Sequence, residues 1–133
     1  MKLSDNFYLH ELQRSETAVR LNIEQQFYPL GHHIINNLDA LVKNLLQPVR
    51  NDLGSWMYVN SGYRCKELNT AVGGSENSDH MQGMAADIVS RDAELLYKLA
   101  LKFPHKQIIL YKEKNFVHLS WDKNDLRNQH WKI

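Results

Sequence analysis

The sequence has a single cysteine, Cys65, so no disulfide can form within the chain. It has no excess of one charge either: the formal net charge at pH 7 is +1, which removes the electrostatic argument for nucleic acid or an acidic membrane surface as a partner. No stretch approaches the roughly 18 apolar residues of a membrane-spanning helix. The first residues also lack the apolar run of a secretory signal, so we expect the protein to be made in the cytoplasm without an export signal of its own.

Length and composition are those of an ordinary globular protein. The chain has 133 residues, of which 43% are hydrophobic and 23% charged, and it contains no internal repeat and no low-complexity linker. We therefore expect one domain over residues 1–133, built around one main core.

The apolar pattern predicts helices early in the chain and short strands later. Apolar residues at i, i+3, i+4 and i+7 predict a helix over residues 31–53, interrupted by Pro48 and ended by Gly54. Further helices are predicted over residues 7–21, 66–72 and 92–103, with Leu21 and Leu95 among their inward-facing residues. Strands are predicted over residues 56–59, 84–89, 107–111 and 116–121, the last two forming a hairpin. This order predicts an α+β fold in which helices flank a small antiparallel sheet.

The stretch SENSDHMQGMAADI holds a histidine and an aspartate, His80 and Asp87, separated by glycine and small residues. On a helix this spacing would leave the two side chains about 10 Å apart, so they can converge only on a loop that turns back into a strand. Catalytic zinc sites use three protein ligands and leave a position for water. His118 in FVHLS is the candidate for the third ligand, although a histidine on a buried strand more often has no metal role.

Three motifs in this order resemble the M15 family of zinc D-Ala-D-Ala peptidases, which includes dipeptidases and murein endopeptidases. They are SGYR at 61–64, S-x-H-x-x-G-x-A-x-D at 78–87 and FVHLS at 116–120. The opening NFYLHELQRSETA and the phrase LLQPVRNDLG are similar to the compact subgroup of the family, and phages or prophages encode many family members. The resemblance covers most of the chain and implies a hedgehog/DD-peptidase-like fold.

Carried over by residue, the resemblance implies that His80, Asp87 and His118 bind Zn²⁺. It also implies a substrate among the peptides of peptidoglycan. Arg64 matches the arginine that contacts the scissile carbonyl or stabilises its oxyanion, which suits a guanidinium because negative charge develops on that oxygen. Ser78 matches a serine that contacts substrate in the dipeptidases, although a turn or cap hydroxyl explains it equally well.

The sequence departs from the family pattern at the general base. The dipeptidases have a glutamate three residues before the last histidine, where this chain has Asn115. The compact subgroup has one after a run like QIIL, where this chain has Tyr111. Glu113 is the nearest carboxylate in the predicted hairpin, and we expect it to accept the proton of the reacting water, with Tyr111 as a hydrogen-bond donor to the substrate. An exposed glutamate between two lysines is the alternative interpretation of Glu113.

Two functional hypotheses from different classes follow. The first is a zinc-dependent peptidase that cuts a peptide bond in peptidoglycan and reaches the cell wall by a phage-type release route. The second is a zinc-containing module of the same fold that binds murein peptides, or sits in a phage particle, without turnover. The peptidase is the leading hypothesis, and the missing glutamate is the feature that keeps the second one as an alternative. A purely structural domain would leave the S-x-H-x-x-G-x-A-x-D arrangement unexplained.

Overall fold

A computed structural model describes residues 1–25 and 29–133 of the chain. Within these ranges, the strands form a two-stranded antiparallel sheet, β1–β2, and a five-stranded sheet in the order β3–β4–β6–β5–β7. The strands are β1 (Lys2–Ser4), β2 (Phe7–Tyr8), β3 (Met57–Ser61), β4 (Ala85–Ser90), β5 (Gln107–Tyr111), β6 (Phe116–Ser120) and β7 (Gln129–Lys132).

Six α-helices lie in the described ranges, together with one π-helical turn over Val42–Leu46 and one 3₁₀ helix over Asp79–Gln82. The α-helices are α1 (Leu9–Gln13), α2 (Glu16–Arg20), α3 (His32–Leu41), α4 (Gln47–Leu53), α5 (Lys66–Ala71) and α6 (Ala93–Ala100). The α+β class is therefore confirmed. None of these helices is long and apolar enough to cross a membrane.

The helix predicted over residues 31–53 forms, with the interruption near Pro48 that its sequence predicts. The π-helical turn lies just before the proline, and the Gln47 N–H donates to the carbonyl of Val42 in place of the usual residue four positions back. Proline has no N–H to donate, so the regular pattern of hydrogen bonds cannot run unbroken past it. Gly54 ends α4 at φ 68°, the left-handed conformation that glycine adopts without a steric penalty.

The five-stranded sheet has two different faces. Its apolar face packs against α3, the π-helical turn, α4 and α6, and forms the main core of the protein. The strand residues on this face are Met57, Val59, Ala86, Ile88, Ile108, Leu110, Val117 and Leu119. Because side chains alternate along a strand, Asp87 and His118 lie on the opposite face. That opposite face is the one available for a site.

The sheet is mixed, which corrects the prediction of an antiparallel one. Strand β7 pairs with β5 in the parallel direction, while the other pairs of the sheet are antiparallel. All four residues of β7 are exposed. A strand on the edge with both faces in solvent carries no apolar alternation, and for that reason the sequence pattern did not predict it.

Two predictions about inward-facing residues were wrong. Leu21 is 47% exposed because α2 ends at Arg20 and the leucine falls beyond its buried face. Leu95 is 42% exposed because the buried stripe of α6 runs through Ala93, Leu96, Tyr97 and Ala100. The region over residues 7–21, predicted to be helical, contains β2 followed by two short helices, α1 and α2.

Candidate metal centre

The centre is built on a cross-strand pair. Asp87 in β4 lies directly opposite His118 in β6, and Asp87 Oδ1 is 2.8 Å from His118 Nδ1. Residues directly opposite each other in an antiparallel pair have their Cβ atoms about 5 Å apart. The register of the sheet therefore brings two of the three predicted ligands into contact.

His80 reaches the same point from the 3₁₀ helix that precedes β4. Its Nδ1 lies 2.7 Å from the carbonyl oxygen of Gly62. A carbonyl only accepts hydrogen bonds, so Nδ1 carries the proton and the lone pair is on Nε2. That Nε2 lies 3.4 Å from Asp87 Oδ1. The histidine is thus held in the tautomer in which Nε2 can bind a metal.

A tight turn between His80 and β4 makes this convergence possible. Gly83 has φ 74°, and a Cβ added there would lie 2.9 Å from the backbone oxygen of Ile34. The Met84 N–H closes the turn by donating to the carbonyl of Asp79. The glycine in the motif is therefore required both by its backbone conformation and by the close approach of α3.

Ligand atoms of His80, Asp87 and His118 all lie within 4.8 Å of one another. Within the described ranges, these three residues form a group that could hold a metal ion. His80 and Asp87 are buried, and His118 is half-buried at the open side. Two imidazoles and one carboxylate are the donor set of many catalytic zinc sites. The residues present therefore fit a zinc ion.

The Asp87 carboxylate is ionised. Burial alone would raise its pKa, but the hydrogen bond from His118 and the neighbouring His80 imidazole outweigh burial and hold the pKa well below its usual range. A metal binds the deprotonated carboxylate. The side chain is thus already in the form that a cation requires.

Arg64 supports the carboxylate from the side away from the histidines. Its Nη2 donates to Asp87 Oδ2 at 3.3 Å, its Nε to Ser61 Oγ at 3.1 Å and its Nη1 to Asn69 Oδ1 at 3.3 Å. Burial lowers the pKa of the guanidinium and the charge of Asp87 raises it, while an arginine stays charged in proteins in any case. The guanidinium is therefore held in one plane at the edge of the centre.

Sequence reasoning missed three residues that hold this arrangement. Gly62 fixes His80, Ser61 fixes Arg64, and Asn69 contacts Arg64 while donating from its own Nδ2 to the Ser75 carbonyl. Ser61 and Gly62 belong to the SGYR motif, and Asn69 lies five residues after Arg64 in the sequence LN at 68–69. The motifs contained the signal, but the pattern alone did not show which atoms each residue contacts.

The three ligands lie in a cleft of about 560 Å³. Ser78 lines it, and its Oγ caps the 3₁₀ helix by accepting the His80 N–H at 3.2 Å. Tyr111 also lines it, with its ring stacked on Phe116 at a centroid distance of 4.5 Å. Burial, reinforced by the negative charge of Asp87, raises the pKa of the Tyr111 phenol. Both side chains thus line the space that a substrate would fill.

The profile of the family described as Peptidase M15 matches residues 5–120. The chain belongs to the peptidase M15 family. No curated protein matches it. The matched segment includes every residue of the centre, so the family assignment and the geometry refer to the same site.

In this M15 peptidase the predicted general base lies outside the cleft. Glu113 is exposed in the turn between β5 and β6, and it lines a separate shallow pocket with Tyr111, Lys114 and Ile133. The non-ligand carboxylate that does line the cleft, in the described part of the chain, is Asp79.

Asp79 and Glu113 differ in their partners. Asp79 Oδ1 is 2.8 Å from Lys106 Nζ, an ion pair in which both side chains are mostly buried. The Glu113 carboxylate makes no ion pair within residues 1–25 and 29–133. Its neighbours Tyr111 and Lys114 both line the cleft. Glu113 is thus an unpaired carboxylate outside the cleft, in a turn next to it, whereas Asp79 is a paired carboxylate inside it.

Proposed function

We propose that this M15 peptidase is a zinc-dependent enzyme that hydrolyses a peptide bond in the stem peptides of bacterial peptidoglycan, in the manner of D-Ala-D-Ala carboxypeptidases and endopeptidases. The observation that supports the proposal is the convergence of His80, Asp87 and His118 in an open cleft. We also propose that the architecture is hedgehog/DD-peptidase-like, and that a phage-type release route brings the protein to the cell wall.

The imidazoles of His80 and His118 and the carboxylate of Asp87 would hold the ion. When bound, zinc supplies Lewis acidity and lowers the pKa of a water molecule. The chain itself fixes its ligands in advance: Gly62 holds the tautomer of His80 and Arg64 orients the carboxylate of Asp87. Such outer contacts raise metal affinity because the ligands lose less freedom on binding.

Arg64, Ser78 and Tyr111 are the proposed substrate contacts. The Arg64 guanidinium is held by Ser61, Asn69 and Asp87, so it can stabilise negative charge on the scissile carbonyl oxygen without reorganising. The Ser78 hydroxyl accepts a backbone N–H, which leaves its own proton free to donate to the substrate. The Tyr111 phenol is protonated near neutral pH because burial raises its pKa, so it also acts as a donor.

Glu113 is the proposed general base. Its carboxylate has no ion-pair partner in the described part of the chain, and it belongs to a turn whose flanking residues line the cleft. A change in the conformation of the turn over residues 112–115 would bring it over the metal centre. Asp79 is less suited because its carboxylate is already held in an ion pair with Lys106 at 2.8 Å.

A second candidate function is favoured by the position of Glu113. In the described part of the chain, Asp79 is the one non-ligand carboxylate of the cleft, and it is paired with Lys106. A cleft of this kind suits a zinc-containing module that binds murein peptides without turnover. The two candidates share the metal centre and the cleft. They differ only in whether a bound peptide is cut.

The test is a digestion of defined muropeptides by the zinc-loaded protein, with products identified by mass spectrometry. Cleavage that is abolished by chelation and restored by zinc supports the peptidase, and the product masses identify the bond. His118→Ala is the matched inactive control. A protein with one equivalent of zinc that binds the muropeptides and cuts none of them would contradict the peptidase and support the binding module.

A further inference from the structure

A second pocket adjoins the metal cleft. Its volume is about 220 Å³, and it shares Arg64, Val72 and Asp87 with the cleft. The rest of its wall comes from the RSET stretch at residues 14–17, from β3 and from Leu68 of α5, and it includes Arg14, Thr17 and Tyr58. We call it the Arg14 pocket. Because the Arg64–Asp87 ion pair borders both spaces, a ligand seated at the metal centre can extend into this pocket.

Arg14 supplies the pocket with a positioned positive charge. The residue ends α1, and its guanidinium carbon lies 4.8 Å from the centroid of the Tyr58 ring. Its Nη2 makes one long contact of 3.5 Å to the carbonyl oxygen of Val59. Stacking on an aromatic face restricts a guanidinium without using its N–H groups. Most of the donors of Arg14 thus remain free for a ligand.

The two arginines of the pocket differ in what they contact. Each nitrogen of the Arg64 guanidinium already has an acceptor: Ser61, Asn69 or Asp87. Arg14 forms no ion pair with any carboxylate in residues 1–25 or 29–133. Its charge is therefore the positive charge of this pocket that no carboxylate of the described residues offsets.

Glu16 is the other charged side chain of the wall outside the Arg64–Asp87 pair. It is exposed in the first turn of α2 and forms no ion pair in the part of the chain that the structure describes. A carboxylate at the mouth repels an anionic ligand weakly, because solvent screens an exposed charge. Arg14 should thus attract an anionic ligand, and Glu16 should repel it weakly.

We propose that the Arg14 pocket is a substrate subsite that binds a carboxylate of the peptide whose scissile bond lies at the metal centre. This inference rests on the proposed function, since stem peptides carry free carboxylates on their branches and at their terminus. The volume of about 220 Å³ suits roughly one amino-acid residue. A planar guanidinium with free donors binds a carboxylate in a bidentate manner. The subsite would set which peptides bind productively.

The experiment compares a stem peptide that has free carboxylates with a series of the same peptide in which one carboxylate at a time is amidated. Dissociation constants are measured by calorimetry on the zinc-loaded wild type, Arg14→Gln and Glu16→Gln. We expect Arg14→Gln to weaken the free-carboxylate peptide roughly tenfold or more, the scale of one charge-assisted hydrogen bond. For the peptide amidated at the recognised position, the dissociation constant should change by less than about twofold between wild type and Arg14→Gln. Glu16→Gln should bind the free-carboxylate peptide no more weakly than wild type does.

Equal weakening of both peptides by Arg14→Gln would overturn the subsite and leave Arg14 a packing role. So would equal affinity of wild type and Arg14→Gln, or a wild type that binds neither peptide. If Arg14→Gln fails to fold, Arg14→Lys replaces it in the comparison. Arg14→Lys keeps the charge without the bidentate geometry, so we expect an intermediate loss of affinity for the free-carboxylate peptide. If the protein hydrolyses the peptides but Arg14→Gln has no charge-dependent effect on their binding, only the subsite is refuted. Charge-dependent binding without hydrolysis would refute only the peptidase.

Discussion

His80 Nδ1 lies 2.7 Å from the carbonyl oxygen of Gly62, so a ligand of the centre depends on the position of a glycine in the preceding strand segment. Gly62 is in turn pressed against α1. A Cβ added to it would lie 2.3 Å from the carbonyl oxygen of Leu12, and that oxygen accepts the N–H of Tyr63 at 2.7 Å. The end of α1, the SGYR motif and the metal centre are therefore mechanically linked.

Gly62→Ala should lower both stability and zinc affinity. The added methyl group meets backbone atoms that cannot move aside, so we expect the free energy of unfolding to fall by about 1–3 kcal/mol. Displacement of the Gly62 carbonyl should weaken zinc binding roughly 10–100-fold, as losing an outer contact to a ligand does. Denaturant unfolding and zinc titration measure the two effects. Gly31→Ala is the matched control, because its Cβ would meet only the side chain of His33 at 3.4 Å. Equal effects of both substitutions would refute the link.

The purified protein should carry about one zinc ion, and His80→Ala and His118→Ala should each lose most of it. Two remaining ligands hold the ion poorly. Zinc at about a hundredfold excess over its dissociation constant should also stabilise the wild type by about 2.7 kcal/mol, because it binds only the folded state. Elemental analysis and thermal unfolding with and without a chelator measure these effects. A substitution of the exposed His32 by alanine is the control. Zinc retained in full by both His80→Ala and His118→Ala would refute the assignment.

The sequence predicted most helices and strands because their apolar periodicity reports which side faces the core. The helix over residues 31–53 and the β5–β6 hairpin are examples. It failed where burial does not dictate the pattern. Strand β7 is exposed on both faces, and its parallel pairing with β5 is a tertiary contact that no local signal encodes.

For the site, the pattern indicated which residue types converge but not what holds them. The strand alternation of FVHLS was enough to set His118 apart from the core residues Val117 and Leu119. The contact of Asn69 with Arg64 was not predictable, since it depends on how α5 packs beside the cleft. The direction in which the turn presents Glu113 was likewise a matter of backbone conformation, with Asn115 at φ 56° at its end.

Arg64→Ala should reduce turnover roughly 10²-fold or more at saturating zinc, the scale of losing one oxyanion donor. Because Arg64 also donates to Asp87 Oδ2 at 3.3 Å, zinc affinity should fall as well. Saturation with zinc separates the two effects, and kcat is then measured on a muropeptide. Arg64→Lys should restore little, since a point charge cannot reproduce three separate contacts. Wild-type kcat in Arg64→Ala would limit this residue to a structural role.

Stability should decrease as the pH falls below about 6.5, partly because of His105. This side chain is 1% exposed; its Nδ1 donates to the Phe103 carbonyl at 2.7 Å, and its Nε2 lies 3.4 Å from His130 Nδ1. Burial, and to a lesser degree His130, lowers its pKa below the value in the unfolded chain. The unfolded state therefore binds more protons in acid, so the stability that neutral His105 contributes is present above about 6.5 and lost as the pH falls through the folded pKa.

His105→Asn tests this dependence, because its amide can still donate to the Phe103 carbonyl. Denaturant unfolding of the zinc-free protein at about pH 7.5 and pH 5 gives the change in stability. We expect that change to be smaller in His105→Asn than in wild type, even if the variant is less stable at both values. His32→Asn, at an exposed histidine, should leave the change as it is in wild type. An unaltered pH dependence in His105→Asn would show that other groups cause it.

The general base gives the last prediction. Glu113 has no ion-pair partner in the described residues, so its carboxylate is available to accept a proton. If it closes over the centre during turnover, Glu113→Gln should keep zinc and fold but lose roughly 10²–10⁴ in kcat. Asp79→Asn is the matched comparison inside the cleft, and it should affect stability more than kcat because it leaves Lys106 without its partner. The reverse result, with a large loss in Asp79→Asn and none in Glu113→Gln, would move the base to Asp79.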